Sequence, residues 1–193
     1  MLGLACIPAT LAAQKIYSLS SPDGNLRTTV TVGEEIRVAL DAGDTPLLAP
    51  SPVSMTLEDG EVLGRNARVV RAEKSSVDRT IASPFYKKSR VGERYNQLTL
   101  SFRGDFGLVF RLYDELAYRF TTDREGTLRI GDECVAFSFP ADCRAVVPYV
   151  ARGRDFDFES QFFNSFENTY TTARITELNP GRLIFLPGLS SVI

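Results

Sequence analysis

Carboxylates are the first candidates for chemistry in this chain. Asp155, Asp157 and Glu159 alternate with Phe156 and Phe158. On a β-strand that spacing puts the three acids on one face. Such a face can hold a hard cation, or supply the paired carboxylates that glycoside hydrolysis uses. The competing reading is the solvated face of an edge strand, where charge discourages pairing with another sheet. The second reading is favoured, because glycosidase carboxylates face each other across a cleft. Arg111, Asp114 and Arg119 surround a central hairpin and read as a cross-strand ion pair. Tyr95 and Asn96 read as residues that hold strand geometry. Cys134 and Cys143 are either a disulfide of an exported protein or two buried thiols.

What is missing narrows the chemistry further. The 193 residues contain no histidine. A Ser-His-Asp triad, a Cys-His pair and an imidazole zinc site are all excluded. The formal charge is −2, so no basic surplus exists to neutralise phosphates, and nucleic acid is not an expected partner. An apolar share of 44% is enough for a sizeable core in one domain.

The elements that position these residues read as strands. Turn residues break the chain every eight to twelve positions or so, and helix signals are scarce. Leu26, Thr28, Val30 and Val32 alternate onto one face, as do Leu98, Leu100 and Phe102. Ser21-Pro22-Asp23-Gly24, Asp41 to Asp44, Asp59-Gly60 and Gly104-Asp105 are turns. Pro50 reads as a strand breaker, Glu73 to Lys88 as a polar loop, and Arg182 to Leu186 as a further strand. The aromatic-rich stretch Phe156 to Tyr170 is either a sandwich rim or a sugar-facing or interdomain surface. Many short strands without intervening helices give an all-β, antiparallel sandwich.

Met1 to Ala13 is small and apolar and ends in Leu11-Ala12-Ala13, a loose cleavage site. It reads as a signal-peptide remnant, with a buried first element as the alternative. Cys6 gives a weak hint of lipoprotein anchoring. No run reaches the roughly 18 apolar residues of a membrane span. The domain expected after the signal runs from 15 to 193.

Three stretches in order carry a family resemblance. They are Tyr17 to Gly24; Tyr95-Asn96-Gln97-Leu98 with Gly107 to Asp114 and Ala117 to Phe120; and Glu133 to Phe139 followed by Glu167-Asn168-Thr169-Tyr170. Together they resemble the N-terminal domain of glycoside hydrolase family 97. Glu115-Leu116 departs from the Asp-Gly that the family's hairpin carries. The resemblance implies a β-super-sandwich like that of the galactose mutarotases, incomplete at its C-terminus. It implies an exported, periplasmic protein acting on an α-linked oligosaccharide through a separate catalytic (β/α)₈ barrel. It implies calcium as cofactor, with Glu167 as the ligand that this domain contributes. The chain alone is then expected to be inactive. The alternative is a stand-alone carbohydrate-binding module. A mutarotase-like epimerase is disfavoured, because such enzymes use His with Glu for acid-base work and this chain has no histidine.

Overall fold

The structure, a computed structural model, describes residues 14–85, 87–150, 157–163, 167–185 and 189–191. The expectations for Met1 to Ala13, Asp155, Phe156, Phe166 and Leu186 lie outside the described residues. The chain divides into two compact units, the first ending at Ser138 and the second starting at Phe139.

The first unit is an antiparallel sandwich. Its strands are β1 (Lys15–Ser20), β2 (Leu26–Val32), β3 (Ile36–Ala42), β4 (Thr45–Leu57), β5 (Val62–Leu63), β6 (Val69–Ala82), β7 (Arg90–Phe102), β8 (Phe106–Leu112), β9 (Leu116–Thr122) and β10 (Ile130–Val135). One sheet has the order β1-β2-β3-β4-β10, with β5 beside β4; the other has the order β6-β7-β8-β9. The predicted alternation is what closes the sandwich. Thr28, Val30 and Val32 from one sheet are buried, as are Leu98, Leu100, Leu108, Phe110 and Leu112 from the other. Thr28 is tolerated there because its hydroxyl donates to Ala39 O at 2.8 Å. The first turn also forms as expected: Gly24 takes φ +80°, and its N–H donates to Ser21 O.

Two expectations fail, each for a physical reason. The segment read as a loop from Glu73 is strand: β6 pairs with β7 from Val69 to Ala82. It carries no apolar period because almost all of it is exposed. Its partners supply what periodicity does not. Asp78 lies opposite Arg94 and Arg79 opposite Glu93, and both pairs form ion pairs. Pro50 does not end its strand either. β4 runs through it because the β3–β4 register shifts between Val38 and Leu40, where a missing N–H costs no ladder bond. Arg37 Nη1 then donates to Pro50 O at 3.2 Å.

Glycine at position 107 is a packing requirement. A Cβ there would lie 2.7 Å from Thr121 Oγ1 and 3.0 Å from Leu100 O. Arg124 ties the two sheets together at their edge. Its guanidinium donates twice to the Glu61 carboxylate, at 2.6 and 2.7 Å, and its Nε donates to Gly104 O at 2.8 Å. The paired guanidinium holds the Glu61 carboxyl below its ordinary range.

Among the described residues the free thiols are Cys134, exposed, and Cys143, buried with its S–H directed at Ala141 O. Among the described residues no helix is long and apolar enough to cross a membrane.

Replacing Leu100, fully buried, by Ala should cost about 2–5 kcal/mol in a denaturant titration. Val70→Ala, at an exposed site, should change stability by less than about 0.5 kcal/mol. Arg124→Ala should cost only about 0.5–1 kcal/mol, since the pair is partly solvated. Its pH signature is the sharper test. Because Glu61 has a depressed folded pKa, its contribution is full above the unfolded value and fades as pH falls through the folded one. The melting temperatures of the wild type and Arg124→Ala should therefore converge on acidification. Equal separation at every pH would remove the clamp from this account.

Candidate functional site

The second unit holds the carboxylate singled out in the sequence. Its sheet has the order β12-β11-β13, where β11 is Arg144–Val147, β12 is Thr171–Arg174 and β13 is Leu189–Ser191. Ala145, Val147 and Tyr149 point one way from β11 and its extension, and all three are buried. Ile175, Leu178 and Ile184 pack against them. This apolar group is small, and polar side chains do much of the remaining fastening.

Tyr149 is the hub. Its hydroxyl accepts from the Asn179 N–H at 3.0 Å, and the Arg182 guanidinium sits over its ring at 4.4 Å. Arg182 also donates to Val150 O at 2.9 Å. Gln161, 4% exposed, fastens a second segment. Its amide donates to Gly181 O at 3.0 Å and accepts from Leu183 N–H at 2.7 Å. The strand expected from Arg182 onward shrinks to an isolated bridge between Tyr149 and Ile184, because these side-chain bonds take up much of the local backbone.

Glu167 lies four residues before β12 and is exposed. The backbone beside it is held: Asn168 Nδ2 donates to Tyr149 O at 3.0 Å, and Thr169 N–H donates to Asn168 Oδ1 at 2.9 Å. Its carboxylate has no hydrogen-bond or ion-pair partner among the described residues. An anchored backbone with an unengaged carboxylate can offer one oxygen ligand outward. Calcium takes roughly 6–8 such oxygens. Among the described residues no group of three or more His, Cys, Asp or Glu side chains assembles a metal site. One such carboxylate cannot complete a calcium shell by itself.

Asp157 and Glu159 do not lie on the strand face expected of them. Asp157 accepts the Ser160 N–H at 2.8 Å and starts a 3-10 turn over Glu159–Phe162. A short polar side chain bonding its neighbouring backbone competes with the extended state. The 3-10 turn brings Phe158 and Phe162 edge to face at 5.4 Å. Phe158, Phe162, Phe163 and Tyr170 are all more than half exposed, with Phe163 at 88%, so they do not pack as a sandwich rim.

In the first unit, Arg111 makes no ion pair with Asp114. Its Nε donates to Gln97 Oε1 at 2.9 Å, and its guanidinium covers the Tyr95 ring at 4.5 Å. Asn96 ties the sheets together by donating to Ser20 O at 2.8 Å. Tyr95 and Asn96 thus hold geometry, as their places in the alternation suggested.

Comparison with known proteins adds identity to this geometry. Residues 19–191 match the family described as Glycosyl-hydrolase 97 N-terminal. A curated retaining alpha-galactosidase of Bacteroides thetaiotaomicron is 47% identical over 187 residues, covering 95% of this chain. The chain spans only 28% of that relative's length. Among solved structures, a beta-arabinopyranosidase matches with TM-score 0.67 at 22% identity, over 80% of this chain and 26% of its own. A Glycoside Hydrolase Family 97 enzyme from a Pseudoalteromonas species, in complex with acarbose, matches with TM-score 0.65 at 14% identity, over 81% of this chain and 24% of its own. At those identities the structural matches establish the fold.

Gln161→Ala should strand the Gly181 carbonyl and the Leu183 N–H. A loss of about 1–3 kcal/mol is expected, read as faster amide exchange at 181–184. Unchanged exchange there would remove Gln161 from the anchoring scheme.

Proposed function

This chain belongs to the glycosyl-hydrolase 97 N-terminal family, and on that footing we propose that it serves a retaining α-galactosidase as its accessory sandwich domain. The observation that carries the substrate choice is the 47% identity to a curated alpha-galactosidase across 95% of this chain. A match confined to 28% of that relative supports a part of a larger enzyme over a free-standing binding module. The carboxylates that protonate and attack the glycosidic bond then belong to a catalytic barrel outside this chain. An exported, periplasmic setting goes with this reading.

The role of the chain is positional. Glu167 presents a carboxylate from a backbone fixed by Asn168, and we assign it one place in a calcium site completed by the barrel. The ion, when bound, supplies positive charge that stabilises developing negative charge on oxygen. The exposed Phe158, Phe162, Phe163 and Tyr170 provide apolar surface of the kind that walls a sugar cleft or meets another domain.

A chimera tests this directly. The chain replaces the matching segment of the Bacteroides relative, and hydrolysis of 4-nitrophenyl α-galactoside is followed against free calcium. Glu167→Gln removes one charged ligand and should raise the calcium needed for half-maximal activity by about tenfold or more. The variant should recover much of its rate in excess calcium. A rate and calcium dependence that Glu167→Gln leaves unchanged would remove Glu167 from the metal site.

A further inference from the structure

At one end of the sandwich a cleft of about 630 Å³ opens between the two sheets. That volume falls within the range of small-molecule sites, roughly 300–1,000 Å³. Its cations come from both sides. Lys15 begins β1 opposite Val32, whereas Arg68 precedes β6 and Arg103 follows β7. The Arg103 N–H donates to Arg68 O at 2.9 Å, which sets these two residues side by side. No acidic side chain lines the cleft, and none of the three cations has a hydrogen-bond or ion-pair partner among the described residues. This sets them apart from much of the basic surface: Arg27, Arg37, Arg71, Arg79, Arg94, Arg124, Arg129 and Arg174 all sit in ion pairs. Val32, Val69 and Val70 add an apolar wall. The Asn66 N–H donates to Glu34 O at 2.8 Å, which fixes the approach of the chain to β6.

Three unpaired cations of one sign beside an apolar wall select a particular ligand chemistry. An oxyanion satisfies the charges, bidentately where it meets a guanidinium. A nonpolar face on the same molecule satisfies the valines. A saccharide bearing a carboxylate or a sulfate ester has both, since its C–H face is apolar. We propose that this cleft binds an acidic saccharide, its oxyanion held by Lys15, Arg68 and Arg103. The choice of a saccharide over other organic anions rests on the glycosidase reading above. The anion site itself does not, and neither Glu167 nor any catalytic step takes part in it.

Calorimetry on the purified chain tests the proposal with three probes: an oligogalacturonate, a sulfated galactose disaccharide and a neutral galactose disaccharide. The acidic probes separate the carboxylate from the sulfate source, and saturable binding by either supports the site. Binding should weaken as salt rises. Arg68→Gln with Arg103→Gln should weaken it by about tenfold or more. Both side chains are exposed, so an unchanged melting temperature should show the variant to be folded. Failure of both acidic probes, equal binding of the neutral one, or full retention in the folded double variant would each overturn the proposal. None of these outcomes bears on the calcium dependence of the chimera, so the two readings fail separately.

Discussion

The apolar contact between the two sheets of the first unit is the constraint on which that unit rests. Leu98, Leu100, Leu108, Phe110 and Leu112 are at most 1% exposed, and Val30 and Ile36 meet them from the other sheet fully buried. Removing that surface from water is the dominant favourable term in folding. The outer strands draw on it at second hand. β6 buries almost nothing of its own and stands because β7 beside it is fixed. Gly107 lets the neighbouring strands β7 and β9 approach β8 closely, and Phe102 stacks on Phe106 at 4.8 Å where the β7–β8 hairpin turns. Polar ties such as those of Arg124 and Asn96 then set how the sheet edges meet.

The second unit is built on a different balance. Its apolar group is small, and Tyr149, Gln161, Asn168 and Arg182 stitch the connecting segments through side-chain hydrogen bonds. Such a region opens locally more easily than a deep core. The proposed role uses this arrangement, since a metal ligand must be placed while leaving its coordination incomplete. Glu167 has a held backbone, and its carboxylate has no partner among the described residues. The exposed phenylalanines of the same unit are surface that a covering domain or a sugar can use.

Much of the fold was legible in the sequence wherever burial and periodicity coincide. Leu26 to Val32 alternates, and β2 has those bounds, because one of its faces is core and the other is wet. β6 was not legible, since its strand state is conferred by cross-strand pairing and not by its own apolar pattern. Pro50 misled because the β3–β4 register shift falls at Pro50 itself, and the partner strand, not the local sequence, sets that shift. The acids from Asp157 onward misled because one side-chain hydrogen bond to Ser160 outweighed alternation. At the site, Glu167 is singled out by the family resemblance alone; no local pattern in the sequence marks it. The anchors Gln161 and Tyr149 give no local signal: they matter through partners some twenty to thirty residues away.

In the proposed function, this chain positions groups for a reaction whose catalytic carboxylates lie outside it. The most direct measurement is hydrolysis of 4-nitrophenyl α-galactoside by the purified chain alone in the presence of calcium, with calcium calorimetry alongside. No turnover and no resolvable calcium heat are expected, because Glu167 alone cannot complete a coordination shell. Clear turnover abolished by Glu167→Gln would contradict that expectation and place an active site within the chain itself.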